Sequence, residues 1–310
     1  MSTDPAAGMR VVLATDGSEA AEVALDLAAS ITWPAGSVIR LVSAVEPMEA
    51  ALAGAWAPVL ARDLDDQLDE LAVAAREVLE HAARRVGPSG ATIERAVPRG
   101  RASTVIVSEA QAMDAHMIML GSRGHGRIGS MLLGSVSAEV VDHSTRPVLV
   151  ARVPRLTRVI LGTDGSSFAR AAEEVLAGWP IFRQAAIEAT SVAHLGLPWT
   201  SSLALSADVP SGGEYGEMGS QVIADHQRLA DEAARRLSQA SLRASARVVE
   251  GDAAAELVRI ARDDQADLIV VGTHGRTGLD RLITGSVARN VMHHAPCSVL
   301  IVRTPPAVPD

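Results

Sequence analysis

Gly121–Ser135 reads GSRGHGRIGSMLLGS, and Gly272–Ser286 reads GTHGRTGLDRLITGS. Each stretch opens with a glycine that closes an apolar run. A second glycine follows three positions on (Gly124, Gly275), and nine residues then separate it from a Gly-Ser pair (Gly134-Ser135, Gly285-Ser286). Glycine has no Cβ, so the chain can take positive φ there and let a ligand approach the backbone. Successive N–H groups in such a turn form a nest for an anion. A helix opening at the Gly-Ser pair adds unbonded N–H groups and the positive end of its dipole. Ser135 and Ser286 bring a hydroxyl that either donates to a phosphate or caps that helix. Arg123, His125 and Arg127 in the first stretch, and His274 and Arg276 in the second, add donors and charge. This is the chemistry of a phosphate cradle. The plain alternative is a flexible loop ending in a helix cap, and the recurrence of the same glycine spacing weighs against it.

Other chemistries find little support. All 28 basic residues are arginine, so there is no P-loop lysine, Schiff-base lysine or lysine base. Gly124-His-Gly126-Arg-Ile-Gly129 fits a dinucleotide fingerprint, but it follows the fourth strand rather than the first and has no counterpart in the second stretch. His143 and the pair His293-His294 lack metal-ligand spacing and read as helix-end residues. The single cysteine, Cys297, sits in an apolar run and reads as a small buried hydrophobe. No nucleophile elbow occurs, so no catalytic residue and no metal ligand is assigned. A net charge of −9 and an aromatic content of 2% argue against a nucleic-acid partner. The start, MSTDPAAGMR, has no apolar core of a signal peptide, and no run reaches membrane-helix length. The expectation is a soluble cytoplasmic protein with no membrane partner.

The elements that position these loops occur twice. Arg10–Thr15, Val38–Val45, Ala91–Val97, Ala115–Leu120 and Pro147–Val153 read as strands. Helical patterns at Ser18–Ile31, Val59–Val86, Arg101–Ala112 and Ser135–Ser144 separate them. The series then restarts, with strands expected at Leu156–Thr163, Ile187–Ala193, Ala246–Glu250, Asp267–Val271 and Cys297–Val302. A helix is expected at Gln221–Ala240, after a polar loop at Leu197–Gly219 that is either a lid, a partner site or a surface excursion. Asp164 follows Asp16 by 148 residues, whereas Gly251, Gly272, Gly285 and His294 follow Gly100, Gly121, Gly134 and His143 by 151. Two halves, 1–153 and 154–310, are therefore copies of one domain, with a short insertion before the third strand. Alternating strands and helices imply an α/β fold, a parallel sheet with helices on both faces in each half, and a strand order of 3-2-1-4-5. In that order strands 1 and 4 are neighbours at the switch point, where a ligand crevice opens. Asp16 and Asp164 end the first strands and the glycine loops end the fourth, so both features converge there. Each Asp either organises the turn before the first helix, touches a base or ribose, or binds a metal indirectly.

The pattern Gly-x2-Gly-x9-Gly-Ser after the fourth strand, with Asp after the first, resembles the ATP-binding branch of the universal stress proteins. LGSRGHG, LLGSVS and RPVLVAR look like that family almost word for word, and the resemblance covers both halves. It implies two tandem Rossmann-like domains of the adenine nucleotide alpha hydrolase-like type, each binding ATP with Mg2+. By resemblance, the adenine and ribose of the first site lie near Ala14, Asp16 and Ala44. Its phosphates lie against Gly121, Ser122, Arg123, Gly124, His125, Gly126, Arg127, Gly134, Ser135 and Val136. The counterparts are Gly162, Asp164 and Val192, with Gly272, Thr273, His274, Gly275, Arg276, Thr277, Gly278, Gly285, Ser286 and Val287. Ala14 stands where the second half has Gly162, and its methyl is expected to crowd the first site.

RPVLVAR and CSVLIVR are apolar strands at sheet edges, which invite pairing. The short link 153–158 lets the two halves pair as a pseudo-dimer, and a further homodimer of chains is an open expectation. The function that follows is nucleotide-dependent regulation in a stress response, acting on an unidentified protein partner. Two other readings stay open. One is a slow ATPase or nucleotide-transfer enzyme, with Asp16 and His125 as candidates; the other is a nucleotide-free scaffold.

Overall fold

The computed structural model describes residues 8–46, 57–122, 133–194, 212–273 and 285–303, with only the backbone course for 57–67 and 212–218. The first half runs β1 (Arg10–Ala14), α1 (Glu19–Ser30), β2 (Val38–Val42), α2 (Ala57–Val86), β3 (Thr92–Ala96), α3 (Ala102–Ala112), β4 (Met117–Gly121), α4 (Ser135–His143) and β5 (Val148–Ala151). The second runs β6 (Arg158–Gly162), α5 (Ser167–Gly178), β7 (Ala186–Ala193), α6 (Gly212–Gln239), β8 (Arg243–Glu250), α7 (Ala253–Asp263), β9 (Leu268–Gly272), α8 (Ser286–His294) and β10 (Ser298–Val302).

Central strands are apolar on both faces. β4 (MIMLG) and β10 (SVLIV) are buried at every residue, as a strand covered by helices on both sides must be. β3 (TIERA) has no buried residue and lies at an edge. The first helix of each half starts from the same turn. Gly17 and Gly165 sit at φ 77° and 75°, which glycine adopts without strain. The next residue then caps the helix: Ser18 Oγ accepts from Ala21 N–H, and Ser166 Oγ from Ala169 N–H.

Each half has the expected order, β3-β2-β1-β4-β5 and β8-β7-β6-β9-β10, parallel throughout. The halves do not keep separate sheets. β5 and β10 pair antiparallel, Val150 opposite Val299 and Leu149 opposite Leu300, and fuse them into one ten-stranded sheet. The cores fuse as well. One apolar layer under α1, α2, α5 and α6 joins Leu13, Leu79 and Leu149 to Leu161, Leu176 and Leu300. The layer on the other face joins Ile106 and Val141 to Leu257, Val291 and Ile301.

Three boundaries differ from expectation by three residues or more. β2 ends at Val42, and Val45 makes only an isolated bridge to Arg99. β8 starts at Arg243, before the expected Ala246, because β7 and β8 pair over eight residues. α6 starts at Gly212, so part of the expected 197–219 loop is helix; the rest, 197–211, lies outside the described residues. Four glycines at 212, 213, 216 and 219 lower local helix propensity by about 1 kcal/mol each, which is why the segment read as loop.

Candidate functional site: two crevices at the switch points

β1 pairs directly with β4, and β6 with β9, so the C-terminal ends of each pair open side by side. Asp16 and Ser122 follow the first pair; Asp164 and Thr273 follow the second. The two features expected to converge therefore do so in both halves. Each Asp organises its turn: Asp16 Oδ1 accepts from Ser18 N–H and Asp164 Oδ1 from Ser166 N–H, both at 3.0 Å. Asp16 is exposed at the mouth and Asp164 half-exposed. Ala44 lies two residues beyond β2, and Val192 lies inside β7 next to its end.

The base of each glycine loop is tied shut. Gly134 N–H donates to Ser122 O at 2.8 Å, and Gly285 N–H to Thr273 O at 2.6 Å. In the first half Ser137 Oγ also donates to Gly121 O; buried Ala288 stands there in the second. The middles of the loops, with Arg123, Gly124, His125, Gly126 and Arg127, and His274, Gly275, Arg276, Thr277 and Gly278, lie outside the described residues.

Past each tie a helix points its N-terminus into the crevice. Gly134 and Gly285 occupy the cap positions of α4 and α8, and being glycine they offer no side-chain cap; among the described residues no other side chain caps either helix. Four other helix starts are covered: α1, α5 and α7 by Ser18, Ser166 and Asp252, and α3 by the Glu46 carboxylate, which accepts from Ala102 N–H at 2.6 Å. Ser135 and Ser286 are thus first helical residues and do not cap. Their N–H groups, with those of Val136 and Val287, belong to the first turn, which has no intrahelical acceptors.

Two expected roles are revised. Gly121 and Gly272 are outside the positive-φ set. A Cβ on Gly121 would lie 2.3 Å from Ala20 O, and one on Gly272 2.7 Å from the Phe168 backbone. These glycines let α1 and α5 sit directly on the sheet; they do not supply a left-handed turn. The Ala14 methyl belongs to the apolar layer with Val42 and Ile106. A Cβ on Gly162 would likewise meet Leu257 and Val271, so this difference between the halves is one of core packing.

The second crevice has a polar backing that the sequence did not announce. Thr163 Oγ1 lies 3.4 Å from buried Glu173, which pairs with Arg236 of α6 at 2.7 Å, and Ser191 Oγ lies 2.8 Å from His226 Nδ1. The positions matching Glu173 and His226 in the first half are Leu25 and Ala75. A groove of about 460 Å3 at the opposite, N-terminal ends of β6, β7 and β8 is lined by Arg158, Glu188 and Asp264 and belongs to neither crevice. Burial pushes the Glu188 carboxyl up, against the pull of Arg247.

His143 and His294 end their helices, with Nδ1 against Glu139 O and Asn290 O. Cys297 is buried and its thiol is pushed up to about 12, mainly by loss of water, which leaves no thiolate to react near neutral pH. Among the described residues, no group of three His, Cys, Asp or Glu side chains could hold a metal, and no helix is long and apolar enough to cross a membrane.

The universal stress protein family model matches residues 9–152 and again 156–303. Universal stress protein Rv1996 of Mycobacterium tuberculosis is 30% identical over 323 aligned positions, covering 96% of this chain and 97% of that protein. A universal stress protein of Mycolicibacterium smegmatis is 27% identical, covering 94% and 96%. Among solved structures, a universal stress protein from Archaeoglobus fulgidus superposes with a TM-score of 0.65 at 18% identity, covering 95% of this chain and 98% of that one. The doubled family match, spanning both crevices, makes this chain a member of the universal stress protein family with two tandem domains.

Proposed function

We propose that each crevice binds an adenine nucleotide, ATP with Mg2+, and that occupancy regulates the surface offered to a protein partner. The observation that carries this is the pair of helix starts at Gly134–Val136 and Gly285–Val287, which have no side-chain cap among the described residues. Each is aimed into a switch-point crevice beside an Asp turn, while the neighbouring helix starts are capped. An anion of phosphate chemistry suits these N–H groups. Mg2+, which neutralises phosphate charge, is usually held by the phosphates and water with at most one or two carboxylates. Asp16 and Asp164, in the turns just after β1 and β6, supply a carboxylate at each crevice. The exposed turns suit contact with base and ribose through the backbone after β1 and near Ala44, and after β6 and near Val192.

The test starts from purified protein, denatured, with released nucleotide identified by chromatography, followed by calorimetric titration with ATP-Mg. The expected outcome is two adenine-nucleotide sites per chain. Ser135→Glu together with Ser286→Glu should abolish binding and keep the thermal midpoint. A carboxylate in the first helical turn satisfies the dipole and occupies the phosphate position. Absence of both released nucleotide and titratable binding would sink the proposal and leave the scaffold reading. Turnover of labelled ATP over hours would favour the slow-enzyme reading instead.

A further inference from the structure

The two halves exchange one arginine each. Arg303 directly follows β10, yet its guanidinium donates to Val141 O at 2.7 Å and Asp142 O at 2.9 Å, at the C-terminal end of α4 in the first half. Arg152 directly follows β5, and donates to Met292 O at the C-terminal end of α8 in the second half and, at 3.4 Å, to Cys297 O just before β10. Arg303 and Arg152 are 151 residues apart, as are Met292 and Val141. The exchange is therefore reciprocal across the β5–β10 pair. In both helices the carbonyl one residue earlier is taken by the chain itself: Ser144 N–H on Val140 O, and Ala295 N–H on Val291 O. The arginine takes the next one. Asp142 and Arg289, 3.7 Å apart, add a further cross-half ion pair.

These arginines connect the two crevices by bonds. Thr273 N–H donates to Val302 O, the residue before Arg303, and Thr273 O takes the Gly285 N–H that closes the second loop. From Arg303 the path runs into α4, whose other end is the start at Gly134. In the opposite sense, Gly121 pairs with Ala151, the residue before Arg152, and Ser122 O takes the Gly134 N–H. α4 and α8 are nine-residue helices, about 13 Å long, too short to hold their own order in water. A cation on the last carbonyls stabilises such a helix by bonding them and by opposing the negative dipole end.

We propose that Arg303 and Arg152 are positioning residues for the nucleotide site of the opposite half, so that each loop sets the order of the other half's phosphate-facing helix. This rests on the nucleotide reading above. A nucleotide that tightens the Thr273–Gly285 tie steadies Arg303, hence α4 and the first site. By linkage the effect is mutual, and the two sites bind with positive coupling.

The full-length chain tests this in two ways. Ser286→Glu leaves only the first site and Ser135→Glu only the second. In the first background Arg303→Ala should weaken ATP-Mg binding about three- to tenfold, while in the second it should change binding less than about twofold. Arg152→Ala should give the mirror result, and Arg303→Lys, which keeps the charge, should recover most of the loss. Amide hydrogen exchange on ligand-free protein should show faster exchange in 135–143 for Arg303→Ala and in 286–294 for Arg152→Ala. Loss of affinity in the arginine's own half, equal loss in both halves, or exchange that is unchanged or raised uniformly would each overturn the proposal. If the wild-type chain binds no nucleotide, the nucleotide reading falls, and the exchange pattern alone decides whether the arginines position the opposite helices.

Discussion

Gly121, Gly272 and Gly162 look alike in sequence, each ending a strand beside a crevice, but the atoms around them set different costs. A Cβ on Gly121 or Gly272 would enter the backbone of α1 or α5, which cannot yield without lifting a helix from the sheet. A Cβ on Gly162 would meet only the methyl ends of Leu257 and Val271, at 3.0 and 3.1 Å. Gly121→Ala and Gly272→Ala should therefore each destabilise by about 3 kcal/mol, at the upper end of overpacking costs, and Gly162→Ala by about 1 kcal/mol or less. Urea midpoints read the difference; equal costs at 121 and 162 would refute the packing role. The spacing of these glycines was legible in the sequence, and it led to the switch-point crevices where β1 meets β4 and β6 meets β9. Their reason was not, because a glycine that admits a helix and one that admits a ligand are the same letter. Arg152 and Arg303 were legible only as the last residues of RPVLVAR and CSVLIVR; that each reaches the other half depends on the β5–β10 pairing.

At the scale of elements, the first strands of the two halves are anchored by equivalent positions with different chemistry. In the first half His116 Nδ1 accepts from Arg10 N–H. In the second, buried Asp267 accepts from Thr157 N–H and Oγ1 and from Arg158 N–H, with Arg155 at 3.3 Å. This holds the link between the halves to the start of β6. Burial, and then Arg10, hold His116 below its ordinary value, so its ring stays neutral and able to accept. Burial alone would raise Asp267, but the bonds from Thr157 and Arg158 and the nearby Arg155 outweigh it and hold the carboxyl below its ordinary range. For both groups the unfolded chain binds the extra proton, so stability rises with pH. The His116 contribution is lost as pH falls below about 6.5, and the Asp267 contribution only below about 3.9. Asp267→Asn should cost about 1–3 kcal/mol at pH 7, and its gap from wild type should start to narrow below about pH 3.9, where the unfolded chain takes up the Asp267 proton, and close as pH falls on through the lower folded value of the carboxyl. Denaturation midpoints across pH check this; a gap constant down to pH 3 would remove the charge from the account. Strand and helix order was legible because apolar runs and turn residues alternate cleanly. The early start of α6 was not, since its glycines favour a loop on local grounds.

At the scale of the molecule, the duplication was legible as a constant offset, and the fused sheet followed from where that offset placed two apolar last strands. Every residue of β5 and β10 is buried, which holds only while each has the other as neighbour. Fusion leaves β3 and β8 as the free edges. β3 carries Glu94 and Arg95, and β8 carries Arg243, Arg247 and Glu250; charges of this kind blunt further strand addition. An association of whole chains therefore has no fifth-strand edge to use. The first half expressed alone is in the opposite position. Residues 8–155 would carry β5 as an open, apolar edge with unpaired N–H and C=O groups, and a second copy offers the same strand about the same antiparallel axis that β10 occupies. Such a fragment should sediment as a dimer at tens of micromolar, with the circular dichroism of an α/β fold and Arg152 of each copy reaching the last carbonyls of the other copy's α4. Arg152→Ala should then weaken the fragment dimer while leaving its secondary structure. A folded monomer at that concentration would mean that the pairing depends on the covalent link and not on the edge.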